Sequence, residues 1–166
     1  MTALLVFLLV GCGVAQSTIL TKCQLKKQLN ETIQNMENHH LGHSEETEAK
    51  IVCYVELTSG FNTSSVKEKK VENSIWKLYG IFQLSDHLIC SDGQTPSLNK
   101  CGKNCTDLLD GDISDDIDCL LETLNDLIKL GFTAQNWEEL GMMAKMIFLH
   151  PECIEKKPSE YFSDCR

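Results

Sequence analysis

Apolar residues recur at helical intervals in several parts of the chain. In residues 20–37 they are separated by steps of four, four and three, which places them on one face of a helix. They are Leu25, Leu29, Ile33 and Met36. A second helix is predicted to begin after Ser44, a suitable N-cap that acidic residues follow, and to end at Gly60.

The second half of the chain contains two further apolar helical patterns. One helix is predicted to begin at an N-cap, Ser114, and to end at Gly131. Its apolar residues are Ile113, Ile117, Leu120, Leu121, Leu124, Leu127 and Ile128. A last apolar segment, GMMAKMIFL, precedes Cys153. We interpret Met142, Met143, Met146, Ile147 and Phe148 as helix core, with an adaptable partner surface as the alternative.

Residues 61–90 show a different pattern, in which β-branched and aromatic residues lie among turn formers. The clearest run is YGIFQLS, which begins at Tyr79. This pattern predicts a small antiparallel sheet. Helices flanking a small sheet indicate an α+β domain.

The first seventeen residues, MTALLVFLLVGCGVAQS, carry no charged side chain and contain an uninterrupted apolar run. We interpret residues 1–17 as a cleaved signal peptide and residues 18–166 as one domain, which is then secreted and extracellular. The apolar run is too short to span a membrane, and no later run approaches the necessary length. Stable membrane insertion is therefore not expected.

Eight cysteines follow the predicted signal peptide, and an even number in an exported chain indicates four disulfides. They are Cys23, Cys53, Cys90, Cys101, Cys105, Cys119, Cys153 and Cys165. Their order along the chain leaves the pairing open. A zinc site is the alternative, and it is disfavoured because no Cys-x-x-Cys pair occurs.

Three Asn-x-Ser/Thr sequons are potential N-glycosylation sites if the chain is secreted. We expect glycosylation at Asn30 and Asn62. Asn104 begins the weakest sequon, because a cysteine occupies its middle position.

The net charge of −9 should repel nucleic acid and anionic cell envelopes. A nucleic-acid function is therefore excluded, and a bacterial-wall substrate is disfavoured. A separate polar stretch, ENHHLGH, contains His39, His40 and His43. These imidazoles could bind zinc or copper, but a solvated loop is the favoured interpretation.

The densest cluster of charge is the run DLLDGDISDDIDC, which ends at Cys119. Its aspartates are Asp107, Asp110, Asp112, Asp115, Asp116 and Asp118. Two carboxylates about 4 Å apart repel by about 4 kcal/mol at an effective dielectric near 20, so a folded chain must solvate them or supply a cation. A solvated acidic turn is one interpretation; an EF-hand is excluded because its ligand order is missing.

Three features of this run favour calcium. Cys105 and Cys119 bracket it, and Gly111 is expected to permit a sharp turn. Asp115 and Asp116 lie in the first turn of a predicted helix with an apolar face. Calcium takes about six to eight oxygen ligands from carboxylates, main-chain carbonyls and water, and such a loop can supply them.

The stretch CSDGQTPSLNKCGKNCTDLLDGDISDDIDC, from Cys90, resembles the core of the C-type lysozyme and α-lactalbumin family. The similarity extends to TKCQL, TSGFNT and YGIFQLS, and all eight cysteines fall in family order. The resemblance implies a lysozyme-like fold, with a helical lobe, a small antiparallel β lobe, four disulfides and a calcium loop at the lobe junction. The implied pairs are Cys23–Cys165, Cys53–Cys153, Cys90–Cys105 and Cys101–Cys119.

The resemblance also implies a set of calcium ligands. Asp110, Asp115 and Asp116 would contribute carboxylates, and Asp107 and Asp112 would contribute main-chain carbonyls. Water would fill the remaining positions.

The two carboxylates that the family's lysozymes use for hydrolysis are replaced in this chain, by Thr58 and Leu78. Neither side chain can donate a proton at neutral pH or stabilise an oxocarbenium ion. Glu56 lies two residues before Thr58, roughly 200° around the helix, and should face away from the cleft. We therefore expect no catalytic residue and no muramidase activity.

By resemblance, the chain is most similar to a regulatory subunit that binds a β-1,4-galactosyltransferase and makes glucose an acceptor for lactose synthesis. The family's docking positions are altered, and they correspond to Glu56, Leu57, Glu152, Phe162 and Ser163. The segment before Cys153 is also longer than in typical members. The alternative is a lysozyme-like, monomeric defence or recognition protein that binds glycans or bacteria without cleaving them.

Overall fold

The computed structural model describes residues 16–36 and 44–165, which form a helical lobe and a smaller lobe of short strands. The helices are α1 (Lys22–Asn35), α2 (Glu45–Thr58), α3 (Ser114–Leu130), α4 (Trp137–Phe148) and α5 (Pro158–Tyr161). The strands are β1 (Val66–Val71), β2 (Ser74–Tyr79), β3 (Leu84–Ser85), β4 (Cys90–Ser91) and β5 (Lys103–Asn104). Short 3-10 turns occupy Cys105–Leu109 and Gly131–Thr133. This is the predicted α+β architecture, in which helices flank a small antiparallel sheet.

The first two helices begin where the sequence predicts. Thr21 caps α1 through a capping box with Gln24, in which each side chain accepts a hydrogen bond from the other residue's main-chain N–H. Ser44 caps α2 by accepting a hydrogen bond of 3.1 Å from the main-chain N–H of Thr47. Every residue from 51 to 55 is buried, and α2 packs against α1, α4 and α5. It is the central helix of the helical lobe.

The predicted antiparallel sheet has three strands in the order β1-β2-β3. Val66 pairs with Tyr79 at one end of the hairpin, and Val71 pairs with Ser74 at the other. On β2 only Trp76 and Leu78 are buried, because alternate residues of a strand point to opposite faces. Strands β4 and β5 form a separate parallel pair.

The N-cap predicted for α3 is wrong. Ser114 is the first helical residue, and Ile113 holds the cap position without a side-chain hydrogen bond. The side chain of Asp112 acts as the cap, because its Oδ1 accepts hydrogen bonds from the main-chain N–H and the hydroxyl of Ser114, at 3.1 and 2.5 Å. The helix ends at Leu130, followed by the predicted Gly131 with a φ of 52°.

The last apolar segment forms α4, and the interpretation of its methionines as helix core is confirmed for the residues that face inward. Leu140, Met143 and Ile147 are almost fully buried against the rest of the core. The short helix α5 was not predicted.

The structure contains all four expected disulfides: Cys23–Cys165, Cys53–Cys153, Cys90–Cys105 and Cys101–Cys119. The last of these ties the β5 region to α3. Within residues 16–36 and 44–165, no helix is long and apolar enough to cross a membrane.

Two sequence interpretations fall outside the described residues. Most of the predicted signal peptide precedes residue 16, and His39, His40 and His43 lie between residues 36 and 44. The boundary between residues 17 and 18 therefore stays a prediction.

Candidate functional site

The aspartate-rich segment of residues 107–116, called the acidic loop from here on, leads from a 3-10 turn into α3. Cys105, which opens that turn, is bound to Cys90, and Cys119 of α3 is bound to Cys101. Leu108 and Ile113 are fully or almost fully buried within the loop. Two disulfides and two apolar anchors therefore hold the loop between the strands and the helical lobe.

Gly80, just past the end of β2, lies in close contact with the acidic loop. It follows β2 with a φ of 75°, and a Cβ added to it would overlap the main-chain carbonyl of Leu108. Only glycine permits both this backbone conformation and this close approach. The position of the acidic loop thus depends on a residue of the sheet.

Gly111 lies at a bend of the chain, as the sequence predicts, but a positive φ is not what requires glycine there. A Cβ at this position would lie 2.6 Å from the hydroxyl oxygen of Thr18 and 2.8 Å from the main-chain oxygen of Gln16. Glycine is required because the N-terminal segment packs directly against the loop.

Asp116 is the electrostatic centre of the loop. Its residue is 1% exposed, and its Oδ1 is buried with no hydrogen-bond partner among the described residues. Burial, followed by repulsion from Asp115 and Asp110, raises the pKa of Asp116 to about 8, although Lys103 opposes this effect. A buried carboxylate among other carboxylates fits a bound cation better than it fits water.

Lys103 is the positive group nearest to this cluster. Its Nζ lies 2.5 Å from Oδ2 of Asp115, and this hydrogen bond raises the pKa of the lysine. Asp110, Asp115 and Asp116 do not bring one oxygen each within 4.8 Å of one another. In the described part of the chain only Cys23, Asp164 and Cys165 meet that spacing, and both cysteines are in a disulfide, which leaves no thiolate for a metal.

The other two predicted ligands have their carboxylates engaged by the chain. Oδ2 of Asp107 accepts a hydrogen bond of 3.1 Å from the main-chain N–H of Asn104, while Asp112 caps α3. The bonds from Ser114 also lower the pKa of Asp112. These contacts are compatible with the main-chain carbonyls of Asp107 and Asp112 acting as ligands. Asp118 is exposed, and it is not one of the five predicted calcium ligands.

The second candidate region is the cleft between the end of α2 and the sheet. Thr58 is the last residue of α2, and its hydroxyl donates a hydrogen bond of 2.7 Å to the main-chain oxygen of Tyr54. Leu78, on β2, is 5% exposed and belongs to the core. Lys67 of β1 pairs directly with Leu78, and its Nζ donates a hydrogen bond to the main-chain oxygen of Thr58.

Lys67 was missed in the sequence analysis. The strand that carries it, VKEKKV, is almost wholly exposed and shows no alternation of apolar residues. Only the register of the β1–β2 hairpin reveals that Lys67 lies between Thr58 and Leu78. A cation thus lies between the two residues at which the resemblance implies that catalytic carboxylates are replaced.

Glu56 faces away from this cleft, as its helical position predicts. It is exposed, and its Oε2 accepts a hydrogen bond of 2.6 Å from the hydroxyl of Tyr161, which lies on α5. Burial, together with this carboxylate, raises the pKa of Tyr161. Glu56 therefore links two helices on the far side of α2.

The other residues for which the resemblance implies altered docking contacts are mostly exposed. Leu57 is 42% exposed, whereas Phe162 is only 6% exposed and is covered by the ammonium group of Lys26, 4.5 Å from its ring centroid. Glu152 and Ser163 are exposed. Phe162 therefore contributes mainly to the core.

The two expected glycosylation positions lie on the surface of different elements. Asn30 is partly exposed on α1. Asn62 lies in the turn before β1, where its Oδ1 accepts hydrogen bonds from the N–H and hydroxyl of Ser64. Glycosylation at either residue stays a prediction.

Known proteins resemble this chain in sequence and in fold. The model of the C-type lysozyme/alpha-lactalbumin family matches residues 18–139. The chain is 31% identical over 147 residues to the milk isozyme of lysozyme C from Equus caballus, which covers 89% of this chain and 98% of that protein. It is 32% identical over 114 residues to alpha-lactalbumin from Homo sapiens, covering 68% of this chain and 75% of that protein.

Solved structures give the same result. The crystal structure of lysozyme from Equus asinus matches with a TM-score of 0.63 and 30% identity, covering 90% of this chain and 99% of that chain. Canine milk lysozyme in its apo-type form matches with the same TM-score, identity and coverage. Sequence, fold and disulfides agree: the chain belongs to the C-type lysozyme/alpha-lactalbumin family.

Proposed function

We propose that this protein is a secreted, calcium-binding and catalytically silent member of its family, whose cleft binds saccharides without cleaving them. The observation that carries the proposal is the position of Lys67, between Thr58 and Leu78. The proposal that the protein binds calcium rests on the burial of Asp116 among other carboxylates.

Catalytic silence follows from the chemistry of these three side chains. A retaining glycosidase needs a protonated acid and an ionised partner about 5–5.5 Å apart, and lysozyme is the type case. A threonine hydroxyl does not act as the acid, and leucine carries no charge. The ammonium group of Lys67 would oppose the positive charge that develops on the sugar ring in the transition state.

The acidic loop would hold calcium through the carboxylates of Asp110, Asp115 and Asp116 and the carbonyls of Asp107 and Asp112. When bound, the ion supplies the positive charge that this cluster needs. Asp116 contributes a buried oxygen that has no hydrogen-bond partner among the described residues, and Asp115 can exchange its contact with Lys103 for one with the ion.

A second candidate function is regulation of a β-1,4-galactosyltransferase. A bound partner can complete a sugar pocket with no chemistry of its own, and the exposed apolar side chain of Leu57 favours a protein contact at the end of α2. Against this function, the residue that precedes Leu57 is the exposed Glu56, and desolvating a charge within an interface is costly. We therefore rank this function second, although the sequence alone favours it.

Three assays on the purified protein test these proposals. We expect chitohexaose to bind, measured by titration calorimetry, and a peptidoglycan suspension to stay turbid. Clearing of the suspension would contradict catalytic silence, and absence of saccharide binding would contradict the cleft function. Lactose formation with added galactosyltransferase, UDP-galactose and glucose would instead establish the second candidate.

A further inference from the structure

The β1–β2 hairpin is a local concentration of positive charge in a chain whose net charge is −9. Its residues 66–79 contain four lysines and two glutamates: Lys67, Lys69, Lys70, Lys77, Glu68 and Glu72. The register divides these charges between the two faces of the hairpin, because cross-strand partners lie on the same face.

On one face both charged residues are lysines. Lys67 pairs with Leu78 and Lys69 pairs with Trp76, and both of these partners are buried. Neither lysine forms an ion pair with a described carboxylate. We call Lys67 and Lys69 the lysine face.

The opposite face carries charges of both signs. Glu68 pairs directly with Lys77, so their opposite charges are neighbours, and Lys70 pairs with Ile75. The positive charge of the hairpin is therefore uncompensated on the side that borders the cleft, where Lys67 contacts Thr58.

This placement selects between classes of sugar. The cation disfavours the positive transition state of glycoside hydrolysis, but it stabilises an anionic group on a bound ligand through a charge-assisted hydrogen bond. Two residues of one face are about 6.6 Å apart along a strand, so the two ammonium groups can contact successive charges on an extended chain.

We propose that the lysine face makes the cleft a binding site for anionic saccharides, which carry carboxylate or sulfate groups. This inference rests on the proposed function, since it assigns the ligand class of the same cleft. It also explains how a strongly acidic protein can bind an acidic polymer, because the local charge at the site is opposite to the net charge.

The test compares three hexasaccharides of equal length by titration calorimetry in low salt and at about 0.15 M salt. Hyaluronan hexasaccharide carries carboxylates, heparin hexasaccharide also carries sulfates, and chitohexaose is neutral. We expect at least one anionic probe to bind about tenfold or more tightly than chitohexaose, and salt to weaken only the anionic probes. Binding of hyaluronan alone would identify carboxylates, and binding of heparin alone would identify sulfates.

The variants Lys67→Gln and Lys69→Gln test the site, with Lys70→Gln as the control from the opposite face of the same strand. Each of the first two should weaken anionic binding about tenfold, while Lys70→Gln stays within about twofold. All three lysines are exposed, so the folded state should tolerate each change, which far-ultraviolet circular dichroism would verify.

Three outcomes overturn the inference. Equal binding of chitohexaose and both anionic probes would contradict the charge selection, although the cleft function would survive. An equal loss in all three variants would show non-specific attraction to the hairpin. If none of the three hexasaccharides binds, the proposed cleft function is overturned as well.

Discussion

The acidic loop and the cleft lie on the two sides of Gly80, and they differ in the sign of their charge. The loop gathers carboxylates around Asp116, which is buried and has no hydrogen-bond partner for Oδ1 among the described residues. The cleft has Lys67 between Thr58 and Leu78. The loop therefore concentrates negative charge around a buried carboxyl group, whereas the cleft contains a cation.

This difference means that the two regions can be altered independently. The loop depends on its disulfides and on the start of α3, while the cleft depends on the register of the β1–β2 hairpin. A substitution in the hairpin can therefore change the cleft without changing the acidic loop. The following predictions test that separation, from the largest expected effect to the smallest.

Gly80→Ala should have the largest effect, because it disrupts the contact between the two regions. The added Cβ overlaps the carbonyl of Leu108, and the φ of 75° is also unfavourable for alanine. We expect the free energy of unfolding to fall by about 3 kcal/mol or more, measured by urea denaturation. Gly93→Ala is the matched control, since Gly93 has a φ of 78° but no atom within 4 Å of an added Cβ; it should lose only about 1–2 kcal/mol. Equal losses would contradict the role of the Leu108 contact.

Calcium should stabilise the folded protein by about 2.7 kcal/mol at a hundredfold excess over its dissociation constant. Chelation with EDTA should therefore lower the melting temperature measured by circular dichroism. Asp116→Asn should remove this response, because it replaces the buried carboxylate of the proposed ligand set. Asp118→Asn is the control, since Asp118 is exposed and lies outside that set. A melting curve that EDTA leaves unchanged would argue against the site.

Stability in EDTA should depend on pH through Asp116. Its folded pKa is about 8, above its usual range near 3.8, so the folded state binds a proton more tightly than the unfolded state does. The stability that this tighter proton binding provides is fully present below the unfolded pKa of Asp116. It is lost as the pH rises toward the folded pKa of about 8. Urea denaturation at pH 5, 6.5 and 8 should show this decrease in the wild type and a smaller one in Asp116→Asn. Identical pH profiles for the two proteins would refute the assignment.

Glu56→Gln should have the smallest effect. Glutamine retains an acceptor for the hydroxyl of Tyr161, and the contact is exposed, so the loss of stability should stay below about 1 kcal/mol. Tyr161→Phe, which removes the same hydrogen bond from the other side, serves as the control. Peptidoglycan turbidity should not change with either variant. A muramidase activity that Glu56→Gln abolishes would show that the cleft has recruited this carboxylate.

Local features of the sequence predicted the parts of the fold that local interactions determine. Ser44 caps its helix as expected, and the apolar stripe of α1 is buried at Leu25, Leu29 and Ile33. The disulfide pairing was implied by the family resemblance, not by spacing, and the structure has the same pairs.

The features that were missed depend on neighbours that are distant in the chain, or on competition between adjacent groups. Gly111 is required by Thr18, and Lys67 acquires its position through the pairing of β1 with β2. An exposed strand without apolar alternation does not specify its register in the sequence. At the start of α3, Asp112 and Ser114 compete to cap the helix, and the aspartate prevails because its side chain can bond two residues ahead.

The most direct test of the central claim is a calcium titration of protein that has been stripped with EDTA, followed by isothermal calorimetry. The account predicts one binding event per chain, which is lost in Asp116→Asn and retained in Asp118→Asn. A folded wild-type protein that takes up no calcium, or an Asp116→Asn variant that binds it as well as the wild type does, would contradict the account.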